Sequence, residues 1–79
     1  MIEVEAVEVV ANFGLSLIFN NGEKRRFDMR PYLQYPVFQR LKAEGYFSLA
    51  RVDYGTVTWP GNIDIAPETL YDRSVPLAD

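Results

Sequence analysis

Few residues in this chain could do chemistry, and their spacing limits what that chemistry could be. Ser16, Ser48 and Ser74 are candidate nucleophiles, yet a serine needs a neighbouring base, and the 79 residues contain no His and no Cys. The two lysines, Lys24 and Lys42, fall in stretches that read as solvated surface. Asp64 and Glu68 stand four apart, with Asp53 and Asp72 as candidate neighbours, and carboxylates of this kind can bind a hard cation. No Gly-punctuated loop of alternating acids surrounds them, so the structural reading is preferred. In that reading Asp64 accepts hydrogen bonds from loop backbone N–H groups, tying the loop to the last helix, and Glu68 sits near the positive end of that helix. The five glycines are scattered singly, with no phosphate-cradling loop among them. No catalytic residue, cofactor or metal is therefore expected, and the chain reads as a non-enzyme.

Lys24, Arg25, Arg26 and Arg30 form the one basic cluster. On a strand its alternate members point to opposite faces, as a charged strand guarding a sheet edge would. The chain carries 8 basic and 11 acidic side chains, a net charge of −3, which works against binding a phosphate backbone. A nucleic-acid-associated accessory or regulatory domain using Lys24, Arg26 and Arg30 is the alternative reading. Tyr46, Tyr54, Trp59 and Tyr71 fit as core anchors with polar tips, and Trp59 is assigned a structural role. Ile18, on the far side of the first hairpin, and Tyr32 and Tyr35, beside Pro31 and Pro36, are not obviously claimed by a core. They point to a protein partner or self-association through Ile18, Tyr32 and Tyr35, with Arg30 at the rim. The composition, 48% hydrophobic and 24% charged, is globular. No stretch resembles a leader peptide or approaches the roughly 20 apolar residues of a membrane span, so a soluble cytoplasmic protein is expected.

These side chains need elements to position them. Ile2, Val4 and Ala6 alternate with glutamates, and then the apolar parity flips to Val7, Val9 and Ala11, which predicts a strand with a β-bulge near Ala6–Val7. Leu15, Leu17 and Phe19 begin a hairpin that returns over Glu23–Asp28. A three-residue loop with Gly22 left-handed pairs Leu15 with Phe27 and sets Ser16 and Ile18 opposite Arg26 and Lys24. Pro31 predicts that Arg30 ends a strand or turn. A helix follows from Pro36 to about Glu44, with Val37, Phe38 and Leu41 as its stripe and Gly45 as its stop. A second hairpin, Phe47–Asp53 with Thr56–Trp59, turns at Tyr54-Gly55 and pairs Val52 with Val57, Arg51 with Thr58 and Ala50 with Trp59. A short helix over 67–72 closes the fold, anchored by Leu70 and Tyr71. The expected order is βββ-α-ββ-α, an α+β two-layer fold in which one antiparallel sheet carries a helix on one face. Residues 1–73 form a single domain and residues 74–79 a frayed tail. Val4, Leu15, Leu17, Phe27, Phe38, Leu41, Val52, Val57 and Trp59 are expected to be buried together.

The pattern resembles a small bacterial family known only as a domain of unknown function. The resemblance rests on Phe19-Asn20-Asn21-Gly22-Glu23, on Phe27-Asp28-Met29 with Tyr32-Leu33, and on Phe38-Gln39-Arg40-Leu41 followed by Phe47. Its most specific part is Trp59-Pro60 with Asp64-Ile65-Ala66-Pro67-Glu68 and Leu70-Tyr71. It spans nearly the whole chain and implies no catalytic residues. Members of that family are short stand-alone proteins or are fused to a helix-turn-helix, a segment not found here. Some look like one half of a two-gene module with a second small protein, which implies an antitoxin-like role. Ala66 departs from the pattern, where Ser is common, and leaves Asp64 to do any capping.

Overall fold

The computed structural model describes residues 1–77. Two antiparallel sheets and a few short helices make up an α+β fold. The strands β1 (Val4–Val10), β2 (Gly14–Phe19) and β3 (Lys24–Asp28) form the first sheet with β7 (Val75–Pro76), in the order β1-β2-β3-β7. The second sheet is β4 (Arg51–Asp53), β5 (Thr56–Trp59) and β6 (Ile63–Ile65). Between the sheets run 3-10 turns at Arg30–Tyr32 and Pro36–Lys42 and the helix α1 (Glu44–Phe47); α2 (Pro67–Asp72) precedes β7. The expected single sheet is thus two, because β4–β6 pair only among themselves. One backbone hydrogen bond, from Val4 N–H to the Gly55 carbonyl (2.9 Å), joins β1 to the second hairpin.

The register of the first hairpins follows from parity. The β1–β2 ladder shifts between Val4 and Ala6, so the bulge lies at Glu5, slightly before the predicted place. It turns Ala6 outward and brings Val7 and Val9 onto the face of Val4, against the core. The β2–β3 loop is the predicted one: Gly22 adopts φ +87°, Asn21 Oδ1 accepts from Glu23 N–H (3.0 Å), and Leu15 pairs with Phe27, Ser16 with Arg26 and Ile18 with Lys24. The Tyr54-Gly55 turn also forms, with Val52 opposite Val57 and Arg51 opposite Thr58. Its first strand is shorter than expected, since Phe47 ends α1 and the β4–β5 ladder starts only at Arg51, without an Ala50–Trp59 pair.

Three other expectations are corrected. Arg30 does not end a strand but opens a 3-10 turn, because the Asp28 carboxylate accepts its backbone N–H (3.0 Å) and folds the chain over. The helix from Pro36 is a 3-10 segment ending at Lys42; Ala43 is extended (ψ 117°), and Gly45 lies inside α1 rather than stopping a helix. A three-residue period places Phe38 and Leu41 on one side, where both are buried, and turns Val37 out. Residues 74–77 do not fray as expected: Val75 and Pro76 pair with Arg26 and Arg25, and Leu77 N–H bonds to the Lys24 carbonyl (2.9 Å). The rest of the proposed tail, residues 78–79, lies outside the described residues.

The predicted core residues do cluster, with Val52 half-buried at the margin. Phe19, Met29, Phe47, Ile63, Ile65 and Leu70 complete the cluster. Trp59 is 2% exposed, donates its indole N–H to the Phe47 carbonyl (2.9 Å), and stacks on the Phe47 ring at 5.8 Å.

Candidate functional site

The segment after β3 is built to hold aromatic side chains at the surface. Arg30 returns its guanidinium to Asp28, with Nε 3.0 and 3.2 Å from the two carboxylate oxygens and Nη2 at 2.9 Å. That hydrogen-bonded cation holds the Asp28 carboxyl below its ordinary value, against a smaller opposing effect of burial. Tyr32 N–H bonds to the Met29 carbonyl (3.0 Å), Tyr35 N–H to the Tyr32 carbonyl (3.1 Å) and Phe38 N–H to the Tyr35 carbonyl (2.9 Å), so the chain between the two prolines is a series of tight turns. Along it the rings step outward. Phe27 is fully buried, Tyr32 stacks on it at 5.3 Å, and Tyr35 meets Tyr32 edge-on at 6.2 Å. Tyr35 is 48% and Val37 56% exposed, with exposed Pro36 between them.

The four residues expected to form one surface divide into two groups. Tyr32, Tyr35 and Arg30 share the turn segment, although Tyr32 is half-buried against the core and Arg30 is occupied by Asp28. Ile18 lies elsewhere: it pairs with Lys24 and Ala6 on the sheet face opposite Leu17 and Phe19. Val37 was not singled out from the sequence, because an α-helical period assigns it to the core stripe and only the 3-10 period ejects it.

The basic run also separates, as strand alternation requires. Arg25 turns to the core side, where its Nε donates to Ser74 Oγ (2.7 Å), Nη1 to Glu23 (3.0 Å) and Nη2 to the Ser74 carbonyl (2.8 Å), while the guanidinium sits 4.6 Å from the centre of the Tyr71 ring. Tyr71 O–H donates to Glu23, completing a clasp between α2 and β3 that sequence reasoning missed, since its members are some 49 residues apart and no local pattern links them. Arg26 lies across buried Gly14 and donates to the Ala11 carbonyl (3.0 Å). Of the serines, Ser74 is committed to this clasp and Ser48 Oγ donates to the Gly45 carbonyl (2.8 Å).

Asp64 does not cap the last helix as expected. Alternation along β6 buries Ile63 and Ile65 and sends Asp64 outward, opposite Thr58, while the N-cap of α2 is Ala66, without a side-chain bond. Glu68 is exposed in the first turn of α2. Asp64 instead lines an open groove of about 290 Å³ on the outer face of the second sheet, with Arg51, Asp53, Tyr54 and Thr58. The Thr58 hydroxyl there is buried and has no hydrogen-bond partner among the described residues.

The chain is thus an α+β domain with exposed Tyr35 and Val37 on one turn segment and a hydrogen-bonded clasp between α2 and β3. The chain matches the model of a protein family of unknown function, DUF2442, over residues 4–76, and belongs to that family. No curated protein and no solved structure gives a significant match. Among the described residues, no helix is long and apolar enough to cross a membrane.

Proposed function

We propose that this chain is a non-enzymatic protein-interaction module, acting in an antitoxin-like manner on a second small protein encoded beside it. The observation that supports this reading is the Tyr35-Pro36-Val37 ridge, apolar and exposed yet held in place by the stacked rings behind it. A preordered aromatic loses little conformational freedom on binding, and such residues dominate interface energetics. The nucleic-acid reading gains little support: Arg25, Arg26 and Arg30 are each held within the chain, leaving Lys24 alone of the four.

The test is co-expression with the neighbour-encoded protein, comparing the parent with a Tyr35→Ser/Val37→Ser variant. The parent is expected to elute as a stoichiometric complex. The variant should keep its thermal midpoint within a few degrees, since both side chains are half-exposed, and lose the complex. A complex that survives the double substitution, or a parent that forms none, overturns the proposal.

A further inference from the structure

The turn between β2 and β3 carries a reaction that needs no enzyme. Asn21 is followed by Gly22, whereas Asn12, Asn20 and Asn62 are followed by Phe13, Asn21 and Ile63. Asparagine is a thermolabile residue, and most so before glycine, where no Cβ shields the next backbone nitrogen. That nitrogen attacks the carboxamide carbon. The new N–C bond closes a succinimide ring, and the carboxamide nitrogen leaves as ammonia, taking the proton of the attacking N–H. Water then opens the ring at either carbonyl, giving aspartate or isoaspartate. Asn21 and Gly22 are both exposed, so water reaches them.

The folded turn commits both reacting groups to other bonds. Gly22 N–H donates to the Phe19 carbonyl (2.9 Å), so its nitrogen is not free to attack. The carboxamide is pinned at both ends: Oδ1 accepts from Glu23 N–H (3.0 Å), while Nδ2 donates to Glu23 Oε2 (2.7 Å) and reaches the Tyr71 hydroxyl (3.4 Å). Glu23 is held in turn by Tyr71 O–H and by Arg25 Nη1 (3.0 Å), and Arg25 by Ser74. We propose that Asn21 is a site of spontaneous deamidation gated by the clasp of α2 on β3, which blocks ring closure while it is shut and is kept from shutting again by the product. Aspartate at this position sets a carboxylate where a donor stood, 2.7 Å from the carboxylate of Glu23, and like charges so close repel. Isoaspartate runs the main chain through the side-chain carbon, lengthening the loop whose length fixes the pairing of Leu15 with Phe27. Either product works against the contacts that had protected the site, so the step runs one way.

The test is to incubate the full chain at neutral pH and follow the peptide holding Asn21 and Gly22 by mass spectrometry, each event adding about one dalton. The folded parent should react more slowly than the chain unfolded in urea, by a factor on the order of ten or more. Ser74→Ala, which removes a clasp partner that touches neither Asn21 nor Gly22, should speed the reaction several-fold. Ile63→Val, a core substitution in the second sheet, should leave the rate near that of the parent. Circular dichroism checks that each variant is folded. Asn21→Asp, which installs the first product directly, should be less stable than the parent, and the loss should shrink in a Glu23→Gln background, where the opposing carboxylate is gone. A parent as fast as the unfolded chain, a Ser74→Ala variant as slow as the parent, or an Ile63→Val variant as fast as Ser74→Ala overturns the gate. An Asn21→Asp variant as stable as the parent overturns the one-way step. None of these substitutions touches Tyr35 or Val37, so failure here leaves the proposed complex untouched, and the reverse also holds.

Discussion

Tyr54 is a residue whose placement works against its own chemistry. It stands at the first central position of a two-residue hairpin turn with φ +53°, followed by Gly55 at +73°. Asn favours that position, while a tyrosine there pays about 1 kcal/mol and, at 93% exposure, recovers almost nothing by packing. Tyr54→Asn is expected to raise stability by about 1 kcal/mol, seen as a higher urea midpoint at constant slope; a lower midpoint would show that the ring carries structure. Phe13 is a contrasting case. Its φ is +58°, yet its ring packs edge-on to Phe47 at 5.2 Å, and the contact offsets the strain. Trp59 and Phe38 lie at the other extreme, in the core. Truncating either to Ala should cost about 3–5 kcal/mol, enough to unfold a domain this small, and thermal melts followed by circular dichroism would show it.

Among the elements, the clasp of α2 against β3 brings pH into the stability of the fold. The Tyr71 hydroxyl, with help from Asn21 and Arg25 and against some burial, holds the Glu23 carboxyl below its ordinary value. A carboxyl whose folded value is lowered stabilises the fold above its unfolded value and loses that contribution as pH falls through the folded one. Glu23→Gln should therefore be less stable at neutral pH and show a flatter loss of stability in acid, and Tyr71→Phe should shift the same way. Urea titrations between pH 7 and pH 2 would check this, and parallel acid profiles for parent and Gln variant would contradict it. The hairpins were legible in the sequence because turn chemistry and parity agree: Gly22 and Tyr54-Gly55 fix loop lengths that bring apolar residues opposite one another. The Pro36 segment was misread because 3-10 and α periods coincide over a single turn, and Phe38 and Leu41 satisfy both. β6 was missed because Ile63–Ile65 is too short for alternation to register. The clasp was invisible for a different reason, since Arg25 reads as edge charge until a partner from the far end of the chain is placed against it. Of the candidate surface, Tyr35 was legible from its prolines, whereas the separation of Ile18 from Tyr32 depends on which sheet face each occupies.

At the scale of the molecule, two thin sheets share one apolar cluster and leave their polar outer faces to solvent. Neither sheet has enough apolar surface to stand alone, so the two are expected to melt together in a single transition. The pairing of β3 with β7 bears on how that transition is crossed. Arg25 and Ser74 are 49 residues apart, and the chain between them holds the whole second sheet, so closing that loop late spares the search its largest entropic cost. Contacts made after the rate-limiting step act on escape from the native state and not on entry. In stopped-flow measurements, Ser74→Ala should steepen neither limb of the chevron but raise the unfolding limb by the full loss in stability and leave the refolding limb in place. The tie between α2 and β3 would then act as a latch, set once the fold is reached and governing how long it lasts.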